Sequence, residues 1–186
     1  MNKVEQIYEA AIKLFNQNGF DKTPTSQLAK EADVAVGTLF HYFKTKEELI
    51  NSLYLKCKDS MLDNILSGIN EEKTYRGRLK LIYINFIRWG VEHTEQYMFF
   101  QQFSNSVYIQ QSTRIEGEKK LGVLMDILEE GIKQEIIRKA SVEYLLEITS
   151  AIFMANMDYF ILNRNQISFE AFVEETFEFI WNCIKN

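Results

Sequence analysis

Apolar residues recur at helical spacing along nearly the whole chain. Ile7, Ala11, Leu14 and Phe15 fall at i, i+4, i+7 and i+8, one face of a helix over residues 3–18. Asn18-Gly19 ends it, with Gly19 suited to a left-handed C-cap. Thr23-Pro24 predicts the next start, Thr as cap and Pro at the first helical position. Leu28, Ala29 and Ala32 then give a short helix its buried face, Asp33 to Val36 form a tight turn, and residues 37–43 form a second short helix. Thr45 and Glu48 have capping-box spacing at the head of a fourth helix that runs to about Leu66. After a break at Ser67-Gly68-Ile69-Asn70, helices are predicted over roughly 74–93, 96–108, 112–137, 141–163 and 168–185, with Ser141 and Ser168 at N-cap positions.

Composition narrows this picture to an all-α fold. One Pro and eight Gly in 186 residues leave few breaks, and no stretch alternates apolar and polar as a half-buried strand would. Cys57 and Cys183 are far apart and form no CxxC pair, so they read as free thiols of a reducing compartment. The N-terminus lacks a signal-peptide core, and no run approaches the ~18 uncharged apolar residues of a membrane span. A cytoplasmic protein without membrane association is expected. Charge is uneven. Residues 1–58 carry eight Lys against seven Asp and Glu, a net +1, and residues 59–186 carry thirteen basic against nineteen acidic residues, a net −6. Any surface that faces nucleic acid therefore belongs to the first third.

That third holds the segment from Leu28 to Phe43, two short helices around a small apolar core with a turn of a few residues, the spacing of a helix-turn-helix. Small Ala29 allows a close crossing. The second helix presents Thr38, His41 and Tyr42 outward, where they reach phosphates or base edges. Lys44 and Lys46 at its far end suit phosphate neutralisation. His41 is open to a second reading as an ordinary surface histidine, Tyr42 as a core aromatic, and Phe40 as packing on the first helix.

The run Gly37-Thr38-Leu39-Phe40-His41-Tyr42-Phe43-Lys44-Thr45-Lys46-Glu47-Glu48-Leu49 closely resembles the signature of the TetR family of regulators, and Gly19-Phe20 and Thr23-Pro24-Thr25-Ser26 also fit it. The resemblance covers about residues 4–50. It implies a helix lying in the major groove from near Gly37, with Thr38, Phe40, His41, Tyr42 and Lys46 touching DNA and Thr25 and Ser26 touching phosphates. It further implies a homodimer on a palindromic double-stranded operator, released by a small ligand. The chain departs from the family pattern at Asp33, where Gly is usual, and at Ala35 and Val36, where a hydroxyl residue is common.

Beyond the motif, Tyr83, Phe86, Trp89, Phe99, Phe100 and Phe103, with Met125, Phe153 and Met157, concentrate aromatic and thioether surface. Two readings stand: an ordinary core, or a pocket for an apolar or amphipathic effector, with Asn85, Arg88 and His93 as its few polar groups. The last helix carries Phe169, Phe172, Phe177, Ile180 and Trp181 around much of its circumference, wide enough for a dimer interface. No nucleophile elbow, phosphate loop or metal cluster occurs, so neither catalysis nor a cofactor or metal is expected. The expected protein is a regulator with a three-helix DNA-binding domain at 1–46 and a ligand-binding and dimerisation domain at 47–186. The alternative is a helical ligand-binding or protein-interaction module without DNA binding.

Overall fold

A computed structural model describes residues 2–186. Among these, ten α-helices and one 3-10 turn occur and no strand: α1 (Lys3–Asn18), α2 (Thr25–Glu31), α3 (Val36–Tyr42), α4 (Lys46–Ile65), the 3-10 turn (Ile69–Glu71), α5 (Tyr75–Glu92), α6 (Thr94–Phe103), α7 (Gln111–Lys119), α8 (Gly122–Lys133), α9 (Val142–Asn163) and α10 (Phe169–Ile184). The all-α expectation holds. The predicted helix over 112–137 is two helices, because its halves pack in different places. Thr113 and Gly117 are the buried positions of α7, whereas α8 buries Ile127, Leu128 and Gly131 in another core.

The chain packs as two units. The first comprises residues up to Ser60 together with His93–Glu118, and the second comprises Met61–Glu92 with Lys119–Asn186. These cut the chain differently from the 1–46 and 47–186 division, since α6 and α7 return to the N-terminal helices. In the first unit Ile7, Ala11, Leu14 and Phe15 of α1 meet Leu28, Leu39, Leu49, Leu53, Phe99 and Phe103 in one core. Phe15 lies 5.5 Å from Phe20 and 6.1 Å from Phe103, ring to ring.

In the second unit α5, α8, α9 and α10 enclose Tyr75, Ile82, Ile127, Leu128, Leu145 and Ile184. Glycines let two close approaches occur. A Cβ on Gly90 would lie 2.1 Å from Met157 Cε, and one on Gly131 would lie 2.2 Å from Tyr75 Oη. Arg78 of α5 pairs with Glu130 of α8 at 2.6 Å, and Lys80 pairs with Glu174 of α10 at 2.6 Å. The Arg78 guanidinium holds the Glu130 carboxyl below the usual carboxylate range.

Candidate nucleic-acid interface

Local backbone chemistry sets the pitch between α2 and α3. Val34 N–H donates to Ala29 O at 2.9 Å and Asp33 N–H to Lys30 O at 3.2 Å, the paired bonds of a Schellman C-cap. That motif needs a left-handed residue at position 33, and Asp33 adopts φ +52°. Asp tolerates this better than most side chains that carry a Cβ, though less well than Gly. Leu39, fully buried, anchors α3 beneath. Ala35 caps α3 without a side-chain bond, as its missing hydroxyl implies.

Two local expectations are corrected. Thr23 does not cap α2: it is buried, and its hydroxyl donates to Gly19 O at 2.7 Å and Leu14 O at 3.3 Å, leaving Pro24 at the N-cap. Gly19 has φ +78° but ψ 169°, not the left-handed helical values, a combination that glycine alone adopts readily. Position 19 thereby turns the chain sharply into Phe20.

The face of α3 away from the core holds Val36, Gly37, Phe40, His41 and Tyr42, all exposed, with Thr38 half-buried. Phe40 thus faces solvent rather than α1. His41 and Tyr42 pack edge to face, 5.2 Å between centroids. Val36, a turn residue in the sequence reading, joins this face at 42% exposure. Its signal was the i, i+4 spacing to Phe40. Thr25 and the exposed Ser26 form the first turn of α2. Exposed Lys44 has its ammonium 3.5 Å from Phe40 O and His41 O, at the carbonyl end of α3.

Lys46 is placed otherwise. Its ammonium is half-buried, donates to Phe20 O at 2.7 Å and Thr23 O at 3.1 Å, and sits 4.2 Å above the Phe20 ring. It braces the loop between α1 and α2. Thr45 caps α4 as expected, Glu48 N–H reaching its Oγ1 at 3.0 Å, but the Glu48 carboxylate takes Lys44 N–H at 2.7 Å in place of Thr45 N–H.

A second support was not visible in the sequence. Residues 104–110, between α6 and α7, strap the same loop. Tyr108 stacks on Phe20 at 4.3 Å and its hydroxyl donates to Asp21 Oδ2 at 2.6 Å. The Arg114 guanidinium donates to the carbonyls of Ser104 and Ser106, and Asn51 bonds Tyr108 O and Gln110 N at 2.9 and 2.8 Å. A shallow depression of about 290 Å³ lies where this strap meets Asn18 to Lys22.

The nine residues expected around an effector are not brought to one place within a unit. Phe99, Phe100 and Phe103 belong to the core of the first, where Phe100 stacks on Tyr54 at 5.1 Å. Tyr83, Phe86, Trp89, Phe153 and Met157 lie in the second, with Met125 half-buried on α8. There Tyr83 Oη bonds Thr176 Oγ1 at 2.6 Å and Asn156 Nδ2 at 3.0 Å, and Phe153 packs on Tyr83 and Phe86. Asn85 is committed to Ser67 O at 2.9 Å.

The α10 residues expected at a dimer interface divide in the single chain. Phe172, Phe177 and Ile180 are buried in the chain's own core, and Phe169 and Trp181 are half-buried against Phe160 and Phe177. The exposed apolar positions are others: Phe179 on α10 at 66%, and on α9 a ridge of Tyr144, Ile148, Ala151, Ala155, Tyr159 and Leu162. By length and composition α9 would also suit a membrane span, with 22% of its apolar window buried.

A family model described as bacterial regulatory proteins, tetR family, matches residues 7–53. The HTH-type transcriptional regulator YttP of Bacillus subtilis is 30% identical over 159 residues, 81% of this chain and 75% of that protein. The fatty acid metabolism regulator protein of Bacillus subtilis is 34% identical over 80 residues, 43% of this chain and only 41% of that protein. Among solved structures, a tetR family transcription regulator from Shewanella sp. PV-4 superposes with TM-score 0.90 at 26% identity over 100% of both chains. The transcriptional regulator FadR of Bacillus subtilis in complex with stearoyl-CoA gives TM-score 0.80 at 23% identity, over 95% of this chain and 96% of that one.

Proposed function

The chain belongs to the TetR family of bacterial transcription regulators, and from that premise we propose that it is a homodimeric repressor that grips a palindromic operator and lets go when an apolar or amphipathic ligand binds. The observation that carries the reading is the outward face of α3. Val36, Gly37, Phe40, His41 and Tyr42 stand exposed on a helix whose other side is locked to the core by Leu39. Thr25, Ser26 and Lys44 flank that face and suit phosphates. Lys46 serves the interface by bracing it.

Dimerisation falls to the ridge of α9 with Phe179 of α10. Its residues recur at i, i+4, i+7, i+11, i+15 and i+18, the spacing by which one helix packs along another. A second copy removes this apolar surface from water, and a palindromic operator calls for two recognition helices about one DNA turn, roughly 34–36 Å, apart. The effector site is proposed among Tyr83, Phe86, Trp89, Phe153 and Met157, with Tyr83, Thr176 and Asn156 as its polar group. Because the similar FadR of Bacillus subtilis is in complex with stearoyl-CoA, long-chain acyl-CoA is the first effector to try. The helix α4 runs from Lys46 into the second unit, so a ligand that shifts it changes the spacing of the recognition helices.

Selection of duplexes from a random pool, followed by titration at several salt concentrations, tests the reading. A palindromic product bound as a dimer with a steep salt slope is expected, and acyl-CoA should release it. Failure to enrich any sequence would leave the helical module without DNA binding as the better account.

A further inference from the structure

The DNA-facing helix is marked by what it lacks. From Val36 to Tyr42, α3 carries no Lys, Arg, Asn, Gln, Asp or Glu. Those side chains are the ones that read guanine, adenine or cytosine edges by hydrogen bonds. The exposed groups are the apolar Val36 at 42%, Phe40 at 38% and Tyr42 at 39%, with His41 beside them. Val36 and Phe40 are one helical turn apart, as are Gly37 and His41. Gly37 therefore leaves a notch in an apolar rim. A Cβ there would meet nothing within 4 Å, so the protein's own packing does not require glycine. Gly37 is the second residue of α3, and glycine loses more backbone freedom on folding than alanine would there. A group outside the chain accounts for it: one that approaches the backbone of α3 closely and is apolar where Val36 and Phe40 touch it. In the major groove the one apolar group displayed by the bases is the C5-methyl of thymine.

We infer that this helix reads thymine methyl groups, with Val36 and Phe40 closing on a methyl seated over Gly37, so that each operator half-site is specified chiefly by thymines. The inference rests on the DNA-binding reading above. His41 and the half-buried Thr38 then supply hydrogen bonds beside the rim, and Tyr42 and Lys44 keep to the backbone.

The test uses the full-length protein and a duplex pool randomised over about 20 base pairs, enough for two half-sites. The enriched duplex is resynthesised with deoxyuridine for thymine at one position at a time, which removes only the methyl. At one or more positions in each half-site the loss should weaken binding about fourfold, the worth of one buried methylene-sized group. In Phe40→Ala and Val36→Ala that penalty should shrink, because the methyl has lost its contact. Gly37→Ala should melt higher than the parent and bind more weakly. Deoxyuridine duplexes bound as tightly as the thymine parent would overturn the inference while leaving DNA binding intact. Parental affinity in Gly37→Ala would overturn it too, since the DNA would then lie too far away for methyl contact. A pool that yields no enriched sequence removes the DNA-binding reading and this inference together.

Discussion

Lys46→Met separates bracing from DNA contact, because methionine keeps much of the apolar stem and removes the ammonium. In the structure that ammonium makes two hydrogen bonds to backbone carbonyls, at 2.7 and 3.1 Å, and lies over the Phe20 ring at 4.2 Å. Charged hydrogen bonds contribute about 1.5–3 kcal/mol each when buried. The lysine is half-buried and water replaces part of each bond, so about 2 kcal/mol for the pair is the working figure. The cation over the ring adds about 0.5–1 kcal/mol. A loss of about 2.5–3 kcal/mol should lower Tm by roughly 5–12 °C at fixed protein concentration. The dependence of operator affinity on salt should keep its slope. Were the ammonium on a phosphate, removing one from each protomer would reduce the slope by about 1.8. Melting curves and a titration at three salt concentrations settle the matter. An unchanged Tm with a flattened slope would refute the bracing role and return Lys46 to the phosphates.

Three further outcomes follow from particular geometry. Asp33→Gly should leave stability unchanged or slightly raised, and Asp33→Val should cost about 1–2 kcal/mol by thermal melting, since φ +52° resists a β-branched side chain; equal Tm values would contradict a left-handed residue 33. Phe179→Glu should give folded monomers in sedimentation, because the ring is 66% exposed in the single chain, whereas Phe177→Glu, at 1%, should unfold the protein; a dimeric Phe179→Glu would move the interface elsewhere. Cys57 should resist thiol reagents until the protein unfolds, since burial pushes its thiol up to about 12 and keeps it protonated and inaccessible; two thiols titrating in the native chain would contradict its burial.

The sequence carried most of the first four helices, because short-range rules govern them. The stripe of Ile7, Ala11, Leu14 and Phe15, the cap at Thr45 and the left-handed Asp33 are all decided within a few residues of one another. What it did not carry depends on distant partners. Nothing local distinguishes Phe103, packed on Phe15, from Phe86, packed on Phe153, though both sit on aromatic-rich helices. The same holds for α10, where Phe177 is buried and Phe179 exposed two residues away. An aromatic wheel shows that a helix is covered on several sides without showing which side its own chain covers. Lys46 marks the limit within the motif itself. Its place is fixed by the carbonyl of Phe20, 26 residues earlier.

The discontinuous first unit also has a consequence for how the protein is made. Its N-terminal part ends at Ser60, but the core is closed by Phe99, Phe100 and Phe103 and the strap is pinned by Arg114, all of which leave the ribosome later. A nascent chain that has exposed only its signature helices lacks the side chains that bury Phe15 and stack on Phe20. Closure must wait for residues up to about 118, and the intervening Met61–Glu92 must be held without its partners α8 to α10. The core of the first unit is thus complete only once α6 and α7 have been made, and a fragment that ends before them lacks part of its packing.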